Sequence, residues 1–185
     1  MTLRILTVCS ANQCRSVLMS AVLRHDDPTA LVASCGTSAT APWPATNDTI
    51  RAARSIGLNI SEHRSTAIAD VRIADFDLVV TATMAQLQSA VVDHGATLGT
   101  TWLWNELAQR CGQQHLQRRD DEDVNDWIQR LGQGRSAQQL AALSTSLDLA
   151  DPTGSGRRAH KKTALELQRQ ARYITAAWKS GDNRP

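Results

Sequence analysis

Apolar positions along this chain follow two rhythms, and the rhythms alternate. Residues 3–8, LRILTV, form a short run rich in β-branched residues and bounded by turn residues, which predicts a buried strand. Residues 16–25, SVLMSAVLRH, set Val17, Leu18, Ala21 and Val22 at helical spacing, with Ser16 as the expected cap and the Asp-Asp-Pro at 26–28 as the stop. The strand rhythm returns at 30–35, ALVASC, followed by the loop GTSATAPWP. A helical pattern then runs from about Asn47 to Ile56 and stops at Gly57. The clearest strand pattern is FDLVVTA at 76–82, and residues 83–95 follow as a helix with Gly95 as its terminator. Strands that alternate with helices imply βαβ units and a mostly parallel sheet.

From about Thr100 to Leu143 the rhythm changes. WLWNELAQRC, DEDVNDWIQRL and SAQQLAAL are helix-like pieces between polar loops, and predict an α-helical insertion at about 100–145. The charge run RRDDED at 118–123 reads as a solvated helix start. The last long segment, 157–178, carries Leu165, Leu167, Ala171, Ile174 and Ala177 at helical intervals and predicts a closing helix packed on the sheet. The expected architecture is α/β, in one domain over residues 1–185, without internal repeats.

Composition narrows the classes. A chain of 185 residues buries a core without staples. A net charge of +2 gives no reason to expect a nucleic-acid partner. No apolar stretch approaches the ~20 residues of a membrane helix, and MTLRILTVCS is not a signal peptide. The expectation is a soluble, cytoplasmic protein that does not engage a membrane. Cys9, Cys14, Cys35 and Cys111 are too few and too uneven for a disulfide scaffold. No close-set Cys or His pairs suggest zinc, the five histidines are scattered singly, and no cofactor is expected.

Candidate chemistry lies where the first strand meets the first helix. Cys9-Ser-Ala-Asn-Gln-Cys-Arg15 is a C-x5-R pattern at the carboxyl end of a strand, where open α/β sheets bind ligands. A loop winding into a helix N-terminus offers several backbone N–H groups and the positive end of the helix dipole to one anion. In that reading Ser10, Ala11, Asn12, Gln13 and Cys14 form the nest for a tetrahedral oxyanion. Cysteines in such fields ionise near or below neutral pH and act as nucleophiles, so Cys9 is the candidate nucleophile. Arg15 is suited to hold two phosphate oxygens at once. Ser16 can donate its hydroxyl to the sulfur, and Asn12 tolerates a left-handed backbone at the midpoint of the turn. The competing reading is a buried cysteine pair beside a surface arginine.

Attack on a phosphoryl group also needs a proton for the leaving oxygen. Asp151, in LDLADPTGSG at 147–156, precedes a proline that restrains it and glycines that let the loop lie close to a ligand. Asp27, in the Asp-Asp-Pro at 26–28, stands in a similar local sequence, and the residues alone leave the two level.

VCSANQCRS, followed by a helix and a late ADPTGSG, resembles the low-molecular-weight protein tyrosine phosphatases, whose strand is followed by V-C-x-x-N-x-C-R-S and whose last helix follows an Asp-Pro loop. SCGT at 34–37 is similar to that family's S-A-G-T, GLNISEHRS at 57–65 to its G-I-x-L-x-x-H-x-A/S segment, and 76–91 to its F-D-L-I-L-x-M-D segment. The resemblance covers about 3–95 and 147–178; the insertion, opening with an E-L-A helix at NELAQ, is similar to those of some actinobacterial members. It implies a four-stranded sheet and hydrolysis through a phosphocysteine on Cys9, with Arg15 and the loop on the phosphoryl oxygens and Asp151, not Asp27, as the acid. It implies no metal. Implied substrates are phosphorylated proteins or small phosphomonoesters. Cys14 matches the family's second cysteine, which traps an oxidised nucleophile as a disulfide; a packed small thiol is the alternative.

The chain departs from the family in four places. Ala11 replaces a loop glycine, and ATM at 82–84 lacks the family's aspartate. Thr153 and Gly154 stand where aromatics flank a phosphotyrosine ring, and Gln13 stands where tyrosine-directed members have Ile and arginine-directed members Thr. Trp43, in the loop after SCGT, is either a replacement wall or an ordinary half-buried tryptophan. Two other functions share the loop: an arsenate reductase that uses a small-molecule thiol, and a non-catalytic oxyanion-binding module. The thioredoxin-coupled reductases need two further cysteines after the third strand, and TATMAQLQSAVVDHG has none.

Overall fold

The computed structural model describes residues 2–179. Four parallel strands, β1 (Arg4–Cys9), β2 (Leu31–Gly36), β3 (Leu78–Thr81) and β4 (Thr101–Leu103), form one sheet in the order β2-β1-β3-β4. β1 is central and pairs with β2 from Arg4↔Leu31 to Cys9↔Gly36, and with β3 from Ile5↔Leu78 to Val8↔Thr81. A strand covered on both faces reads as a continuous apolar run, and Ile5, Leu6 and Val8 are fully buried. Ile5 and Cys9 face the larger core, while Leu6 and Val8 face a smaller one with Ile68, Ile73, Val79 and Ala90.

The helices are α1 (Arg15–Asp26), α2 (Asn47–Ser55), α3 (Met84–Val92), α4 (Trp104–Cys111), α5 (Val124–Leu131), α6 (Ala137–Leu143) and α7 (Gly156–Trp178). α7 packs on α1, α2 and α4, with Ala164, Leu167, Ala171, Ile174 and Ala177 fully buried. This side therefore carries the larger core. Leu165, expected on the packed face, is instead 46% exposed.

Three expectations change at the level of elements. The third helix ends at Val92 rather than reaching Gly95, although Gly95 does take a positive φ of 74°. Ser16 does not cap α1; the cap position is Cys14, without a side-chain bond, and Ser16 has another partner. The segment read as a helical insertion from about 100 opens with β4, which completes the sheet. Three residues that run straight into the helical spacing of α4 leave no strand rhythm to read. Beyond α4 the segment is helical, and Val124, Trp127, Ile128 and Leu131 of α5 join the larger core. The run RRDDED is only partly solvated. Asp123 caps α5 by accepting from the Asn125 N–H at 2.8 Å, but Glu122 is bound by Arg130 at 2.7 Å. Asp27 is a buried turn residue that accepts from Trp178 Nε1 and from Thr29.

Candidate active site

β1 ends at Cys9 and α1 begins at Arg15, so residues 10–14 are the loop at the carboxyl end of the central strand. Cys9 is 3% exposed, and its Sγ lies 3.0 Å from Ser16 Oγ. Asn12 takes φ 53°, the one positive φ outside glycine among the described residues. Its side chain braces the turn. Nδ2 donates to Ser16 Oγ (2.9 Å) and Ser34 Oγ (3.0 Å), and Oδ1 accepts from the Thr66 N–H at 2.9 Å.

The polarity of the loop follows from its hydrogen bonds. The carbonyls of Cys9, Ser10 and Gln13 accept from the N–H groups of Thr37, Ser38 and Thr46, and that of Asn12 lies 2.7 Å from His63 Nε2. Among the described residues no N–H of 10–14 donates to a protein acceptor. Carbonyls turned outward and N–H groups left unengaged are the arrangement of an anion-binding nest. Gly36 permits it by space alone: a Cβ there would meet the Ser10 carbonyl oxygen at 2.3 Å and the Asn12 nitrogen at 2.8 Å.

Arg15 is buried and reaches across to the 147–156 loop, donating from Nη1 to the Leu149 carbonyl (3.3 Å) and from Nη2 to Asp151 Oδ2 (2.6 Å). Of the two aspartates that the local sequence left level, Asp151 is therefore the one beside the thiol loop. Burial pushes the Asp151 carboxyl up, but the N–H and hydroxyl of Thr153 and the charges of Arg15 and His160 outweigh it and hold it below its ordinary value. The loop is tied down at three further points. The Leu149 N–H donates to the Ala82 carbonyl, Asp148 Oδ1 accepts from the Met84 N–H at the start of α3, and Asn105 Nδ2 donates to the Leu147 and Asp148 carbonyls.

Cys14 is buried, and burial pushes its thiol up to about 11 despite a hydrogen bond with Thr49. A relay runs from the 82–84 segment to the thiol loop: Thr83 Oγ1 donates to Gln86 Oε1 (2.6 Å), and Gln86 Nε2 donates to Ser10 Oγ (3.0 Å). Trp43 is not half-buried; it is 58% exposed, on the loop that ends with the Thr46–Gln13 bond. Gln86, Thr66, Asn105 and Asp148 had no local signal as site residues, because each acts on a partner more than 40 positions away, whereas His63 was marked only as the histidine of the 57–65 segment, without a partner. Among the described residues no three His, Cys, Asp or Glu gather as metal ligands, and no helix is long and apolar enough to cross a membrane.

Comparison with known proteins agrees with this geometry. Residues 4–126 match the family profile of low molecular weight phosphotyrosine protein phosphatases. The chain is 32% identical over 105 residues to the probable low molecular weight protein-tyrosine-phosphatase EpsP of Ralstonia nicotianae, covering 57% of this chain and 72% of that protein. Its fold is that of the tyrosine phosphatase AmsI of Erwinia amylovora (TM-score 0.69, 19% identity, 97% and 95% of the two chains). It is also that of the YwlE arginine phosphatase of Geobacillus stearothermophilus (TM-score 0.68, 20% identity, 94% and 90%). A thiol loop of this sequence, closed on an aspartate from before the last helix and matched over two thirds of its length, places the chain in the low-molecular-weight protein tyrosine phosphatase family.

Proposed function

We propose that this phosphatase hydrolyses phosphomonoesters, phosphotyrosine in proteins foremost, through a phosphocysteine on Cys9. The N–H groups of Ser10, Ala11, Asn12, Gln13 and Cys14 receive the phosphoryl oxygens, and the Arg15 guanidinium takes two of them. The Cys9 thiolate attacks phosphorus opposite the leaving oxygen. The S–P bond forms as the P–O bond breaks, and Asp151 passes its proton to the departing oxygen. The Asp151 carboxylate then takes a proton from water, whose oxygen attacks phosphorus. The S–P bond breaks, and Cys9 leaves as a thiolate stabilised by the Ser16 hydroxyl 3.0 Å away.

The observation that carries this reading is the 2.6 Å contact between Arg15 and Asp151, 136 positions apart. It brings a candidate acid to the rim of a loop whose N–H groups are unengaged. A bound phosphoryl group competes for the same guanidinium and so frees the carboxyl to act. Exposed Trp43 supplies the aromatic wall that Thr153 and Gly154 do not. Cys14 serves as a packed neighbour whose buried thiol stays protonated at neutral pH.

The test is hydrolysis of an aryl phosphate by the full chain. Cys9→Ser should lose turnover while retaining tungstate or phosphate, measured by calorimetry. Residual turnover in that variant would move the nucleophile elsewhere, and thiol-dependent arsenate reduction without aryl phosphate hydrolysis would replace the reading altogether.

A further inference from the structure

The start of α7 carries charge that the helix itself does not want. Arg157, Arg158, Lys161 and Lys162 fall within its first seven residues and all are exposed. Two of them are among the three lysines of the whole chain. A helix N-terminus bears the positive end of the macrodipole, so cations there destabilise rather than support the helix. Carboxylates do not offset them. Arg157 reaches Asp48 only at 3.9 Å, and Arg158, Lys161 and Lys162 have no ion pair among the described residues. Further along, Arg169 is matched by Glu166 at 2.6 Å, so the imbalance belongs to the first two turns.

The position of these turns suggests why. α7 starts five residues after Asp151, and Arg157 leans toward the first turn of α2. α2 in turn follows Thr46, whose N–H holds the Gln13 carbonyl of the thiol loop. The cations therefore begin at the rim of the active site and run outward along an open depression of about 410 Å³ lined by Arg158, Lys161, Lys162, Leu165, Glu166 and Arg169. The buried side of the same helix, with His160 and Ala164, is already committed to the core.

We propose that this basic row docks an acidic segment flanking the phosphorylated residue of a protein substrate. The proposal rests on the phosphatase reading above and adds a substrate class to it. From Arg157 to Leu165 the helix rises roughly 12 Å, which an extended peptide spans in about four residues. The Glu or Asp side chains it selects therefore lie close together on one flank of the phosphorylated position. A membrane surface fits less well, because only Leu165 stands exposed among the cations and the apolar face of α7 is buried.

The experiment compares kcat/KM for two phosphotyrosine peptides that differ only in a flank of three Glu or three Gln. Wild type should prefer the acidic peptide by about tenfold at low ionic strength, and salt should erase much of that preference. The triple variant R158E/K161E/K162E should bring the ratio to one or invert it, while aryl phosphate kcat/KM stays within about twofold and reports that the site is folded. A preference that survives the triple variant, or an equal loss on both peptides, overturns the proposal. So does charge-dependent binding to phosphatidylserine vesicles without any peptide preference. Absence of aryl phosphate turnover in wild type would sink the phosphatase reading first, and this proposal with it.

Discussion

Arg15 and Asp151 occupy each other in the resting protein, and the guanidinium adds to the Thr153 hydrogen bonds that lower the carboxyl. Thr153 and Arg15 hold Asp151 below its ordinary value against the opposing effect of burial. A carboxyl depressed on folding stabilises the fold above its unfolded-state value, and that contribution is lost as pH falls through the folded value. An oxyanion in the loop should reverse the shift, since it adds a like charge and takes over the guanidinium. Carboxyl-detected NMR titration should place Asp151 low in the free protein and higher when tungstate or phosphate is bound. An unchanged or lower value in the bound state would mean that the anion does not compete for Arg15. At this scale much of the site was legible. Cys9, Asn12, Arg15 and Ser16 stand out because they crowd one strand-to-helix turn, and Asn12 takes the left-handed backbone that its residue type suggests. Gln86 was silent and Gly36 showed only as part of the SCGT match, because what makes them matter is the hydroxyl or backbone of Ser10, 76 and 26 positions away in sequence.

Elements that owe their form to tertiary partners were the ones misread. β4 is three residues long and exists because Val79, Val80 and Thr81 offer it a ladder. The charge run before α5 looks solvated in sequence, yet it forms a joint. Arg118 donates from its backbone N–H to the Ala177 carbonyl and from its side chain to the Trp178 and Glu122 carbonyls, which ties this segment to the end of α7. Arg130 closes a two-pronged bond on Glu122 and, over the opposing effect of burial, holds its carboxyl down at about 2. Folding therefore favours ionised Glu122. Its contribution is complete above the ordinary 4.5 and declines as pH falls toward 2. Wild type should exceed Glu122→Gln in urea midpoint at pH 6, and the gap should narrow steadily toward pH 2.5. Trp127, whose Nε1 donates to the Leu116 carbonyl, gives a fluorescence signal inside the same joint. A gap independent of pH would show that the carboxylate is not what the joint uses.

The whole molecule holds its site by bringing three distant stretches to the ends of adjacent strands: the thiol loop after β1, the 34–37 stretch that ends β2, and the acid loop anchored beside β3 and α4. The last of these depends on the segment after β4 being fixed to the sheet, and the fixture is a buried cation. Arg135 binds both oxygens of Glu106 at 2.6 and 2.9 Å, donates to the Leu98 and Thr101 carbonyls, and stacks 3.7 Å from the Trp102 ring. Both side chains are under a tenth exposed. Removing one partner of such a pair strands the other, which costs roughly 3–5 kcal/mol, whereas replacing both with apolar residues is often near neutral. Arg135→Met should therefore lower the urea-unfolding free energy by about that amount, and adding Glu106→Leu should recover much of the loss. The acid loop sits next to this fixture, since Asn105 precedes Glu106 and holds the Leu147 carbonyl. Arg135→Met should accordingly slow aryl phosphates with poor leaving groups more than those with good ones, because protonation by Asp151 matters most for the former. A stability loss without that leaving-group bias would separate the fixture from the acid loop. Equal losses in the single and double variants would show that Arg135 acts through its stacking and carbonyl bonds rather than through Glu106.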